Sequence, residues 1–71
     1  MAQTVEKTPV AKLGALLQEH QEAVFLGREL IRLSMCARVA NRIRDALVAE
    51  QVAEECFARA IQLEEQLKTQ L

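Results

Sequence analysis

A chain of 71 residues has room for one domain. A domain that short buries too small a share of its surface to be more than marginally stable, unless a disulfide, a metal or a partner chain adds to it. Hydrophobic residues make up 51% of the chain but aromatic ones only 3%, and the net charge is −1. The apolar content is therefore mostly Ala, Leu, Val and Ile, which suits helix-on-helix packing. The charge argues against a protein that works by phosphate contacts, since such domains are basic. No uncharged apolar run approaches the ~20 residues of a membrane-spanning helix, and residues 1–7 lack the apolar core of a secretory signal. A cytoplasmic location is the default expectation.

Residues 1–7 are polar and without period, and read as a flexible tail. Thr8-Pro9 then marks a helix start: Thr is a good N-cap, and Pro fits the first helical position, where an N–H would be unpaired anyway. No further proline follows, glycine recurs only at 14 and 27, and no alternating β-branched run occurs. The expectation is all-α over residues 8–71, with one reversal.

Charge places that reversal. Residues 28–44 carry Arg28, Arg32, Arg38, Arg42 and Arg44 against Glu29 alone. Residues 45–66 carry Asp45, Glu50, Glu54, Glu55, Glu64 and Glu65 against Arg59 alone. Basic residues complement the dipole at a helix C-terminus and acidic ones at an N-terminus, so the break belongs between them. Asn41 can adopt the left-handed conformation of a C-cap, and Asp45 can cap a new helix. This predicts helix 9–41, a turn at 41–45 and helix 46–70. Folding back about Ile43 sets Arg38 near Glu50, and Arg32 near Glu54 and Glu55. The rival break is Gly27, but Arg28-Glu29-Leu30 resumes the helical pattern at once. A single uninterrupted coiled-coil helix would need strict heptads that do not persist.

Each helix is apolar along two adjacent stripes. In the first helix one stripe runs through Val10, Leu13, Leu17, Val24 and Ile31, and another through Leu16, Ala23, Leu26, Leu30, Leu33, Ala37 and Ala40. In the second, the stripes are Ala49, Val52, Cys56, Ala60, Leu63, Leu67 and Ala53, Phe57, Ile61. That is wider than the seam of a two-helix contact. An antiparallel two-helix hairpin covers one stripe, so the other needs another chain, most simply in a four-helix bundle or coiled-coil assembly. Helices of ~50 and ~37 Å also differ in length, so Val10 and Leu13 should project past the end of the second. The candidate interaction surface is Val10, Leu13, Leu17, Val24, Ile31, Val52, Cys56, Phe57, Ile61, Leu63 and Leu67.

Catalytic and metal chemistry find little footing. His20 is the single histidine, flanked by Glu19 and Glu22. The Glu-x-x-His spacing of carboxylate di-iron bundles is absent, because Leu17 stands three residues before it. At a dimer seam His20 could instead make assembly pH-sensitive. Ser34, Cys36 and Cys56 have no constellation of base and orienting group, nor a Gly-rich elbow or phosphate loop. The cysteines have no zinc spacing and are expected to be reduced, buried and apolar in role.

No enzymatic activity, metal, cofactor or small-molecule substrate is expected. The expected role is a non-enzymatic protein–protein interaction module (a small helical adaptor, chaperone or regulatory subunit), self-associating or paired with a helical protein. The alternative is a small nucleic-acid-binding regulator that uses Arg38, Arg42 and Arg44 as an anion contact.

Overall fold

A computed structural model describes residues 9–70, so the tail assigned to 1–7 and the Thr8 cap lie outside the described residues. Two helices, α1 (Pro9–Val39) and α2 (Ile43–Gln70), fold back on each other as an antiparallel hairpin. Gly27, the rival break, sits within α1.

The reversal occupies residues 40–42 and is tighter than the 41–45 expected. Asn41 takes φ 63°, the left-handed conformation in which a short polar side chain is tolerated. The Asn41 N–H donates to Arg38 O at 2.9 Å and the Arg42 N–H to Ala37 O at 2.7 Å. These two bonds close a Schellman motif and satisfy carbonyls that the end of α1 would otherwise leave unpaired. Arg42 O then accepts from Ala46 N–H at 3.1 Å, so α2 starts at Ile43, three residues before the expected position. Asp45 is therefore inside the first turn of α2 and does not cap it. Its negative charge still complements the positive end of that helix, and its Oδ2 accepts from Arg42 Nε at 2.8 Å.

The seam between the helices is built from small side chains. Along α1, Leu13, His20, Gly27 and Ser34 recur every seven residues, interleaved with Leu16, Ala23, Leu30 and Ala37. Along α2, Ala46, Ala53, Ala60 and Leu67 alternate with Ala49, Cys56 and Leu63. These fifteen residues are all buried or half-buried, and Ala46 and Ala53 are 0% exposed. A seven-residue repeat of this kind keeps one line of a helix against its neighbour, as in a coiled coil. Alanine, glycine and serine at the seam let the backbones come close. At Gly27 the Phe57 ring fills the space a side chain would need: a Cβ there would lie 2.7 Å from the ring. Ser34, 2% exposed, satisfies its hydroxyl by donating to Ile31 O at 2.7 Å, so its burial leaves no orphaned polar group. Leu63, at 1% exposed, is the largest side chain enclosed in the seam.

Candidate interaction surface

Filling the seam with small residues displaces the large ones outward. The buried hydrophobic residues are Ala23, Ala46, Ala53, Ala60 and Leu63. Thirteen larger ones among the described residues are exposed, including Leu26, Ile31, Leu33, Met35, Leu47, Val52 and Ile61. Where exposed apolar side chains gather on one face they mark a candidate site for another chain.

The seven-residue spacing assigns most of these side chains to two broad faces, one on each side of the seam; Phe25 and Val39 lie instead on the side of α1 turned away from α2. The first, here the Ile31 face, carries Leu17, Val24, Ile31 and Met35 on α1 and Ile43, Leu47, Phe57 and Ile61 on α2. Arg38 and Glu50 mark it: Arg38 Nε and Nη2 donate to the two Glu50 carboxylate oxygens, each at 2.9 Å. The second, the Leu26 face, carries Leu26, Leu33 and Ala40 on α1 and Val48 and Val52 on α2. Arg59 and Glu19 mark it, with Arg59 Nη2 donating to Glu19 Oε1 at 3.1 Å. On this face an open groove of about 310 Å³ runs between the helices, floored by Ala23, Leu26, Val52 and Cys56 and rimmed by Glu19, Glu22, Glu55 and Arg59.

The residues expected to form an interaction surface separate between these environments. Leu17, Ile31 and Ile61 are exposed on the Ile31 face, with Val24 and Phe57 half-buried there. Val52 is exposed on the Leu26 face, and Cys56 lies half-buried at its groove. Val10 is 78% exposed, whereas Leu13 is half-buried and does not stand clear of α2. Leu67 is half-buried in the seam. Leu63 is enclosed by the hairpin itself and offers nothing to another chain while the hairpin holds. The exposed large residues that sequence reasoning left out are Phe25, Leu26, Leu33, Met35, Val39, Ile43, Leu47 and Val48. Their signal was the Ala46, Ala53, Ala60 repeat, which marks the line of α2 that packs on α1 and so turns Ile43, Leu47, Val48 and Val52 outward.

The arginines are spoken for unevenly. Arg38 is held by Glu50 as a planar fork, a geometry that fits carboxylate well. Arg42 is paired with Asp45 at 2.6 Å, whereas Arg44 has no ion pair among the described residues. Of the three anion-contact candidates, two thus have their charge already met within the hairpin. Arg32 does not reach Glu54 or Glu55 as expected; it pairs with Glu29 one turn before it in α1. The reason is angular. Arg32, five residues past Gly27 on the repeat, points away from α2, and its side chain is 66% exposed. The neighbouring Glu29 carboxylate holds its guanidinium protonated still more firmly than usual, by hydrogen bond and by charge.

Cys36 is exposed and Cys56 half-buried, both free, which corrects the expectation of two buried thiols. Cys36 misses the seam because it lies two residues past Ser34, on the side of α1 turned toward the Leu26 face. His20 occupies the seam, half-buried, between the turns of Leu13 and Gly27. Among the described residues no three His, Cys, Asp or Glu side chains gather as a metal site, and no helix is long and apolar enough to cross a membrane. Comparison with protein-family models, with curated proteins and with solved structures finds no match to this chain.

Proposed function

We propose that this protein is a non-enzymatic interaction module that acts by burying its outer apolar faces against another protein chain, as a small adaptor, chaperone or regulatory subunit does. One observation carries the reading: the hairpin buries Ala23, Ala46, Ala53, Ala60, Gly27, Ser34 and a single large side chain, Leu63, and leaves Ile31, Met35, Leu47 and Ile61 exposed. Burial of apolar surface contributes about 25 cal/mol per Å², so the Ala, Gly and Ser positions of the seam stabilise the hairpin less than Leu or Ile would. Among the described residues nothing covers these large side chains, which supports a partner chain as their cover. Helical faces of this kind are read by partner helices through anchors spaced three and four residues apart.

The test is the state of the purified full chain. Sedimentation equilibrium between about 1 and 100 μM should give either a self-assembled species or a folded monomer that brightens an apolar dye such as ANS. A folded monomer that binds no dye would overturn the reading.

A further inference from the structure

The geometry points to a second copy of this chain as the occupant of the Ile31 face, giving a four-helix bundle in which α1 of each copy lies on α2 of the other with both turns at the same end. This rests on the interaction-module reading and names its partner.

Charge selects both the face and the arrangement. On the Ile31 face the charges of α1 are basic, Arg28 and Arg38, while those of α2 are Glu50, Glu54 and Glu64 with Lys68. Arg38 and Glu50 already satisfy each other within the chain. Arg28 and Glu54 do not: neither has an ion-pair partner among the described residues, and both are exposed beside the apolar strip. Two copies apposed by rotation about the long axis of the hairpin set α1 over the partner's α2. Stacking α1 on α1 would instead set Arg28 against its own copy, and α2 on α2 would oppose glutamates. The Leu26 face lacks this complementarity. Its α1 edge carries Glu19, Glu22 and Glu29 against Lys12, and its α2 edge Asp45 and Glu55 against Arg59, so both edges are net acidic. Two copies joined through it would face like charge with like.

Register agrees. Within the hairpin, Gly27 sits level with Phe57, and the longer side chains of Glu19 with Arg59 and of Arg38 with Glu50 reach along the axis to either side of that register. With the turns at the same end, the register carries across the interface: Arg28 of one copy falls within about one helical turn of Glu54 of the other, and Met35 of Leu47. The salt bridges would flank a centre of Ile31, Met35, Leu47 and Ile61. Size is sufficient as well. The paired helices run for ~42 Å and present a face about two helix diameters wide, which reaches the roughly 800 Å² per partner of a standard interface.

The test is charge reversal and its rescue, read by sedimentation equilibrium on the full chain with circular dichroism to confirm helicity. The wild-type chain should be a dimer. Arg28→Glu alone and Glu54→Arg alone should each raise the dimer dissociation constant by about tenfold or more, because the two-fold duplicates every like-charge contact. The double variant should restore the dimer. A dimer indifferent to all three variants but dissolved by Leu26→Glu with Leu33→Glu would overturn the Ile31 face and leave the interaction-module reading standing. A folded wild-type monomer at 100 μM that brightens ANS would overturn the second copy alone. The same monomer without dye binding would overturn both.

Discussion

The seam and the two outer faces of this hairpin differ in the sizes of their side chains, and the difference runs opposite to that of an ordinary small domain. In the seam, Ala46, Ala53 and Ala60 of α2 meet Ala23, Gly27 and Ser34 of α1, all of them buried. Outside it, Met35 is 61% exposed and Ile61 59%. The seam thus encloses mostly small side chains, while the larger ones stay exposed on the faces, with nothing among the described residues to cover them. The residues that close the hairpin and those proposed to meet another chain are therefore different, which makes the two roles separable by substitution.

The largest effect should come from emptying the seam. Leu63→Ala removes its most enclosed large side chain and should cost about 2–5 kcal/mol, most of what so small a domain has. The expected readout is loss of a cooperative urea transition by circular dichroism at every protein concentration. Leu30→Ala, at a half-buried position, should cost less than Leu63→Ala. Equal losses would mean that the seam is not where the hairpin places it.

Filling the seam should do the converse. Ala53→Leu adds bulk where the side chain is 0% exposed and should destabilise by about 1–3 kcal/mol, despite leucine's greater hydrophobicity. A shift of the urea midpoint to higher concentration would break the contrast between seam and faces.

At the turn, Asn41→Val asks a β-branched residue to hold a left-handed conformation and should lower stability by about 1–2 kcal/mol, while Asn41→Gly should be tolerated. Thermal melts of the two variants would show whether the Schellman motif sets the reversal.

On the outer face, Ile61→Ser should leave the monomer's stability within about 0.5 kcal/mol and weaken association instead, seen as a melting temperature that loses its dependence on protein concentration. Smallest of all, Arg42→Ala with Arg44→Ala should leave assembly unchanged. It removes one exposed ion pair worth at most about 1 kcal/mol. If those two substitutions abolished a salt-dependent gel shift with nucleic acid, the arginine cluster would have a role that the two faces do not supply.

Several of these features were legible in the residues alone. Pro9 opens α1, and the change from arginine-rich to acid-rich sequence locates the reversal near Asn41 because helix dipoles reward opposite charge at opposite ends. The Arg38–Glu50 pairing follows from folding back about that point. The length of the turn did not follow: charge marks a neighbourhood, and the Schellman bonds that fix residues 40–42 are backbone geometry. Arg32 was misplaced because level along the axis says nothing of angle around it, and this side chain points away from α2.

What the sequence by itself determined is helix content, antiparallel sense and an apolar surplus, because propensity, capping and charge act over a few residues. Only the tertiary structure decided which members of the two stripes lie inside: in α1, Leu13 of one stripe joins Leu16, Ala23, Leu30 and Ala37 of the other, together with His20, Gly27 and Ser34, which belonged to neither. Two adjacent stripes share one helical period, so periodicity cannot choose between them. Packing chose the small residues, because Ala, Gly27 and Ser34 let the helices close onto each other and onto the Phe57 ring, and that choice put the large aliphatic residues on the faces where another chain can meet them.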